Sequence, residues 1–222
     1  MKYFEPMIMK SDRALKRSVD FTLALGGIFL ISPLWMLAAL LIKLEDRGPI
    51  FFHQERWGEK KKKIRVMKFR TMTVHDGQNG GRALQAKKGD GRITRVGYFL
   101  RATALDELPQ LINIVKGDMS FVGPRSLPIN ELQIAEHEST RNLSDEMIPG
   151  FEARAGIKPG LTGIAQIFAP RDVPRKHKFR YDRLYAKKAN LWLDIRLILL
   201  SVWISVSGRW GKQGERNRIK IS

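Results

Sequence analysis

The 222-residue chain has no cysteine, which excludes disulfides and thiolate metal sites. Acids are also scarce, with 22 Asp and Glu against 40 Lys and Arg, a formal charge of +18. An excess of that size calls for a polyanionic partner: nucleic acid, an anionic lipid surface or a phosphate-rich substrate. The helix-turn-helix, zinc and RNA-sheet signatures of nucleic-acid readers are missing. No glycine pattern matches a Walker loop or sits in a strand–turn–helix dinucleotide context. With 43% hydrophobic and 28% charged residues, the composition is that of a folded protein. The length allows one sizeable domain, or one domain plus a membrane element.

One stretch lacks charge altogether: none of the 22 residues from Phe21 to Ile42 ionises. As a single helix it would measure about 33 Å, enough for a hydrocarbon core. It is too long for a signal-peptide core, and a basic, folded-looking segment follows directly. Lys10, Arg13, Lys16 and Arg17 precede it, and Lys43, Arg47, Arg56 and Lys60 to Lys63 follow. A single span should leave its basic excess on the cytoplasmic side only. Ser32-Pro33 lies mid-run, where proline removes a helical hydrogen bond and collides with the preceding turn. The expectation is a re-entrant hairpin broken at Ser32-Pro33, with a Pro-kinked single span as the alternative.

Gly48-Pro49 turns the chain into an extended piece at 50–52, and Ile64, Val66, Met67 and Phe69 interleave with basic residues as in a strand with one wet face. Lys68 and Arg70 on this strand are candidate phosphate ligands. Residues 71–90, rich in glycine, read as a loop that could act as a lid. Arg92, Arg95 and Arg101 then lead to the acid pair Asp106-Glu107. Acids beside a cation cluster suit a phosphate-and-metal site or a set of structural salt bridges, and the residues alone favour neither.

Leu108, Leu111, Ile112 and Val115 recur at helical spacing, Pro109 fits a first turn, and Gly117 is a stop signal. Asp106 then falls at or near an N-cap with Glu107 one step inside, and on that stretch alone capping is the stronger reading. A short strand at 119–122 ends in a Gly-Pro turn that presents Arg125. Residues 127–145 are compatible with a surface helix. The glycine-rich loop 156–166, with Thr162 and Gly163, could bring backbone N–H groups to an anion. Tyr181 to Val206 is helical in pattern, interrupted by Asp194 and Arg196, with Trp192 and Trp203 (and Trp210 beyond it) suited to headgroup depth.

These stretches, in order, resemble one family. They are Lys16-Arg17-Ser18-Val19-Asp20, Ser32-Pro33, Gly48-Pro49-Ile50-Phe51-Phe52, Lys68-Phe69-Arg70-Thr71-Met72, Arg92-Ile93-Thr94 and Leu100-Arg101. Leu105-Asp106-Glu107-Leu108-Pro109-Gln110, Phe121-Val122-Gly123-Pro124-Arg125 and Pro159-Gly160-Leu161-Thr162-Gly163 continue the series. The chain resembles the bacterial sugar transferases of the monotopic polyprenyl-phosphate phosphoglycosyl transferase type, in the short form with essentially the catalytic domain alone.

The resemblance implies transfer of a sugar 1-phosphate from a UDP-sugar to polyprenyl (undecaprenyl) phosphate with release of UMP. This would be the first membrane step of bacterial glycoconjugate synthesis, such as that of an exopolysaccharide. It implies Asp106 as the nucleophile of a covalent phosphosugar intermediate and Glu107 as the Mg2+ ligand. Arg101 and Arg125 would hold phosphates, with Lys68 and Asp194 as neighbours. The implied fold is α/β: a small mixed helical and strand catalytic domain on interfacial amphipathic helices, with an N-terminal re-entrant membrane helix-hairpin. Residues 1–44 would form the N-terminal amphipathic segment and hairpin, 45–206 the catalytic domain at the cytoplasmic face of the inner membrane, and 207–222 a basic tail. The implied partners are donor, acceptor and the anionic bilayer, with no nucleic acid and with homo-oligomerisation left open.

Two positions depart from the family pattern: Ser126 replaces the second proline of Pro-Arg-Pro, and Ile164 replaces a common tryptophan. The rival reading, a basic peripheral module that clamps lipid or nucleic acid without catalysis, explains the charge and the apolar run. It does not explain an Asp-Glu pair between Arg101 and Arg125.

Overall fold

The computed structural model describes residues 10–73, 90–129, 147–169 and 173–207. Most of the expected lid (74–89), most of the expected surface helix (130–145) and nearly all of the basic tail (208–222) lie outside them.

Helix α1, Lys10–Asp46, carries the apolar run. It is not interrupted at Ser32-Pro33, where the sequence predicts a break. Proline at 33 has no N–H for the Phe29 carbonyl, and the Ser32 hydroxyl donates to that carbonyl instead, at 2.9 Å. A serine that re-satisfies the freed acceptor lets the helix continue through a proline. Much of α1 stays uncovered: Phe29 and Leu30 are 72% and 83% exposed, an apolar surface no folded domain leaves to water.

Strands β1 (Phe51–Trp57) and β2 (Lys63–Phe69) form an antiparallel hairpin in which Phe51 faces Phe69 and Trp57 faces Lys63. On β2, Ile64 and Val66 turn inward while Lys63 and Arg65 face solvent, the alternation of a half-buried strand, and Phe69 at the strand's end is buried on the opposite face against Ala38, Ile42 and Leu100. Helix α2 (Arg95–Thr103) is capped twice. The Thr94 hydroxyl accepts from Gly97 N–H, and the Glu45 carboxylate at the end of α1 accepts from Arg95 and Val96 N–H at 2.6 and 3.1 Å.

Helix α3 is short, Gln110–Lys116, ended by Gly117 in the left-handed region at φ 88°. Arg17 of α1 donates to the Ile114 and Val115 carbonyls at the end of α3, at 2.6 and 2.7 Å. Strands β3 (Ser120–Val122) and β4 (Gly160–Thr162) pair in parallel. Helices α4 (Phe151–Ala155), α5 (Ile164–Phe168), α6 (Arg175–Lys188) and α7 (Leu191–Val206) complete the chain. The long C-terminal helix expected from periodicity is divided at Ala189-Asn190, where the Asn190 side chain caps α7 by accepting from Leu193 N–H.

Both halves of α1 lie on the domain. Ala24, Ile28 and Ile31 pack with Val66, Leu111 and Ile114, whereas Trp35, Ala38 and Ile42 pack with Phe69 and Leu100. A further core of Val122, Ile164, Ile167, Tyr185, Leu197 and Ile204 joins β3 to α5, α6 and α7. At these burial levels each large apolar side chain stabilises the fold by roughly 1.5–3 kcal/mol.

Candidate active site

Asp106 and Glu107 do not sit on a helix N-terminus. They occupy a single 3-10 turn, Leu105–Glu107, between α2 and α3. The chain enters that turn through Ala104 at φ 58°, a left-handed conformation that a residue with a Cβ adopts at a cost of about 1–2 kcal/mol. Pro109, not Asp106, holds the N-cap position of α3. The capping role read from the sequence is therefore corrected. The Glu107 and Leu108 N–H groups bond back to the Ala104 and Leu105 carbonyls inside the turn, so Asp106 is not needed to satisfy them.

The two acids have opposite surroundings. Glu107 is clamped by cations: Lys68 Nζ lies 2.6 Å and Arg125 Nη2 2.7 Å from its Oε1, and Arg125 Nη1 lies 3.5 Å from Oε2. Among the described residues, none donates a hydrogen bond to the Asp106 carboxylate. Burial, then the neighbouring Glu107 charge, push Asp106 up to about 6 against the pull of Lys68, Arg101 and Arg125. Burial also opposes ionisation of Glu107, but Arg125 and Lys68 outweigh it and hold that carboxyl well below its usual range. Burial pulls Lys68 below its ordinary value, with Glu107 opposing. The result is one neutralised carboxylate beside one that accepts no hydrogen bond from the described residues.

The cations come from three elements. Lys68 is on β2, and Arg101 is in the last turn of α2, its Nε donating to Thr71 Oγ1 at 2.9 Å. Arg125 follows the Gly123-Pro124 turn after β3. Two buried residues that the sequence reading did not single out hold the backbone around Arg125. Arg154 Nη2 donates to the Arg125 carbonyl while its Nε binds Asp182 at 3.0 Å. Arg56 donates to the Ser126 carbonyl at 2.8 Å and to its hydroxyl at 3.3 Å. The Ser126 departure therefore does not leave Arg125 on a loose segment, because the Arg56 guanidinium grips the serine. Buried arginines with acceptors on distant elements leave no local sequence signal.

Four candidates lie in other interactions. Arg70 forms an ion pair with Asp46 and donates to the Pro49 carbonyl, tying the end of α1 to β2. Asp194 is a buried bolt: Lys16 Nζ lies 2.5 Å from Oδ2 and Tyr185 donates to Oδ1 at 2.7 Å, joining α1, α6 and α7. The Thr162 hydroxyl pairs with Ser201 of α7. Gly163 serves close packing, since a Cβ there would stand 2.3 Å from the Gly123 carbonyl oxygen. An ion pair or a tight turn needs the same residue types as a ligand site, which is why spacing alone did not separate them.

No group of three or more acids or histidines exists among the described residues that could cage a metal. The donor set is Glu107 with Asp106 beside it. That fits Mg2+, which is commonly held by one or two carboxylates plus substrate phosphates and water rather than by a protein cage.

A half-buried acid pair with a lysine and two arginines around it, on a domain whose 37-residue helix leaves much of its apolar run exposed, is consistent with a membrane-associated protein that handles phosphates. The profile of the family described as "Bacterial sugar transferase" matches residues 11–208, and the chain belongs to that family. It is 42% identical over 197 residues to the UDP-glucose:undecaprenyl-phosphate glucose-1-phosphate transferase of Escherichia coli (strain K12), covering 86% of this chain and 40% of that protein. It is 39% identical over 205 residues to the protein of the same name from Klebsiella pneumoniae, covering 90% of this chain and 42% of that one. The exopolysaccharide production protein PSS of Rhizobium leguminosarum bv. phaseoli is 39% identical over 196 residues, covering 86% of this chain and 94% of its own length. The chain thus spans about two fifths of the first two relatives and nearly all of the third.

Proposed function

We propose that this protein transfers a sugar 1-phosphate from a UDP-sugar to undecaprenyl phosphate, releasing UMP, through a covalent phosphosugar on Asp106. The observation that carries the reading is the unequal acid pair, Glu107 neutralised by Lys68 and Arg125 beside an Asp106 that accepts no hydrogen bond from the described residues. Transferring a phosphoryl group between two anionic substrates requires charge neutralisation and alignment. Asp106 attacks the phosphorus that bears the sugar, and the bond to the UMP oxygen breaks. The acceptor phosphate then attacks the same phosphorus and frees Asp106. A carboxylate nucleophile in this way divides one difficult encounter of two anions into two easier steps. Arg125 and Lys68 neutralise the pyrophosphate, and Arg101 approaches from the opposite element. Glu107 would hold Mg2+, which would supply Lewis-acid polarisation of the phosphate oxygens.

The same proposal places α1 in the bilayer as a re-entrant element, with both ends and the active site at the cytoplasmic face. Lys16, Arg17 and Asp20 near one end of α1 bond to Val122, Ile114, Val115 and Phe121, and Glu45 and Asp46 at the other end bond to α2 and Arg70. Helix ends tied to one polar domain do not emerge on opposite sides of a membrane, which supports a monotopic arrangement. Exposed Tyr98 and Phe99 of α2, and Trp192, Leu199, Val202 and Trp203 of α7, supply apolar faces for helices lying at the interface.

The test is UMP release across a panel of UDP-sugars with polyprenyl phosphate and Mg2+. Asp106→Asn is expected to abolish turnover with unchanged circular dichroism, and near-wild-type turnover would remove the nucleophile assignment. The topology is read from single cysteines at Asp12 and Arg47 in a chain that has none of its own. Both should label only from the cytoplasmic side, and periplasmic labelling of either would overturn the re-entrant arrangement.

A further inference from the structure

The stretch 68–71, where β2 ends, carries partners for two of the charged groups around Asp106. Lys68 binds Glu107, and the Thr71 hydroxyl accepts from Arg101 Nε at 2.9 Å. Thr71 also holds the start of α2. Its carbonyl accepts from the Thr94 N–H at 3.1 Å, and Gly97 packs on that carbonyl so closely that a Cβ would collide with the oxygen. One residue, 6% exposed, thus grips the first turn of α2 through its backbone and the last turn through its side chain. Arg101 Nη2 also lies 3.5 Å from the sulfur of Met72, the next residue along. Beyond Arg101 the chain runs directly into the acid pair: α2 ends at Thr103, and only Ala104 and Leu105 separate it from Asp106.

The geometry points to Thr71 as a positioning residue, which fixes the Arg101 guanidinium where charge develops on the phosphoryl group that Asp106 attacks; this rests on the transfer reading and deepens it. An arginine side chain has many rotamers, and its planar fork acts on a phosphate only when it is aimed. Misplacing a group at a reacting centre by about 1 Å costs up to roughly 100-fold in rate. A hydroxyl acceptor orients a guanidinium without cancelling its charge, whereas a carboxylate would neutralise it. The charge of Arg101 is felt at Asp106, where it favours the ionised carboxylate that a nucleophile requires. Threonine suits the place because its backbone docks α2 while its hydroxyl holds the guanidinium at the other end of the same helix. Loss of that alignment weakens an interaction made mainly in the transition state, so it lowers kcat more than it raises KM. A residue that merely filled the core would act through its shape, and its loss would appear in stability alone.

The experiment compares Thr71→Val with Thr71→Ser in the full chain in lipid nanodiscs. Valine keeps the shape and the carbonyl that docks α2 but has no acceptor for Arg101, and serine keeps the acceptor. Thr71→Val should retain its circular dichroism and lower kcat for UMP release about tenfold or more, with the KM for the UDP-sugar within about twofold. Thr71→Ser should stay within about threefold of wild type, and Thr71→Ala, which also lacks the acceptor, should match Thr71→Val. On an Arg101→Ala background the valine exchange should add no further loss, because the two residues act as one. Nitrogen-15 NMR gives a readout independent of turnover. The Arg101 Nε–H resonance, identified by its absence in Arg101→Ala, should be protected from hydrogen exchange in wild type and Thr71→Ser and lose that protection in Thr71→Val. Full kcat in Thr71→Val and Thr71→Ala, an equal loss in Thr71→Ser, the same loss with and without Arg101, or unchanged Nε–H protection would each overturn the assignment. If wild-type protein releases UMP while Thr71→Val keeps its kcat, the positioning role falls and the transfer reading stands. If no donor is turned over while Nε–H protection is lost in Thr71→Val and kept in Thr71→Ser, the transfer reading falls and the hold of Thr71 on Arg101 stands.

Discussion

Replacing Arg154 by methionine separates two tasks that one side chain performs. Arg154 and Asp182 are 6% and 5% exposed, their N–O distance is 3.0 Å, and the guanidinium also covers the Phe179 ring at 4.6 Å. Removing one partner of such a pair strands a buried charge and costs about 3–5 kcal/mol. For a chain of this length that lowers the melting temperature by roughly 6–20 °C. Burial holds Asp182 above the usual aspartate range, with Arg154 opposing. Loss of the arginine therefore raises Asp182 further. The native state then binds the proton more tightly than the unfolded chain does, so stability falls as pH rises through the raised value. The deficit of Arg154→Met should be smallest in acid and grow toward neutrality.

The double variant Arg154→Met/Asp182→Leu removes both charges, and its stability should return to within about 1–2 kcal/mol of wild type. The Arg125 carbonyl nevertheless loses its donor in both variants. The double variant should therefore stay impaired in kcat/KM for the UDP-sugar while folding well. Thermal unfolding followed by tryptophan fluorescence, together with initial rates of UMP release, measures both quantities on the same preparations. A double variant as unstable as the single one would refute the energetic reading of the pair. One with full donor kcat/KM would refute the positioning role of Arg154.

Further outcomes follow from the same geometry. In protein stripped of divalent ions, carbon-13 NMR of aspartate carboxyls should find one group, lost in Asp106→Asn, titrating near pH 6, since burial and Glu107 push it up to about 6. Asp106 is protonated below that value and ionised above it, so a titration near 4 would contradict the burial argument. Tyr185→Phe removes a buried donor from Asp194 and the Val122 carbonyl. It should cost about 1–3 kcal/mol in thermal unfolding without changing UMP affinity, and a change in that affinity would return Asp194 to the site.

The apolar run, the strand with one wet face, the Gly117 stop and the ordered motifs were legible because each depends on neighbours within about eight residues. The roles of Arg70, Asp194, Thr162 and Gly163 were not, since their partners are Asp46, Lys16 with Tyr185, Ser201 and the Gly123 carbonyl. Helix periodicity also missed the turn before α3, where Ala104 takes a left-handed conformation that local preference disfavours and tertiary packing imposes.

By itself the sequence determined the family and the presence of a membrane-seeking helix, because motif order and hydropathy are properties of the chain. Only the tertiary structure decided that Glu107 takes Lys68 and Arg125 while Asp106 takes no hydrogen bond from the described residues. It also decided that Arg154 and Arg56 hold the segment carrying Arg125. Both are contacts between residues far apart along the chain, and which of two adjacent carboxylates meets a cation depends on how a single turn is oriented against β2 and the segment after β3.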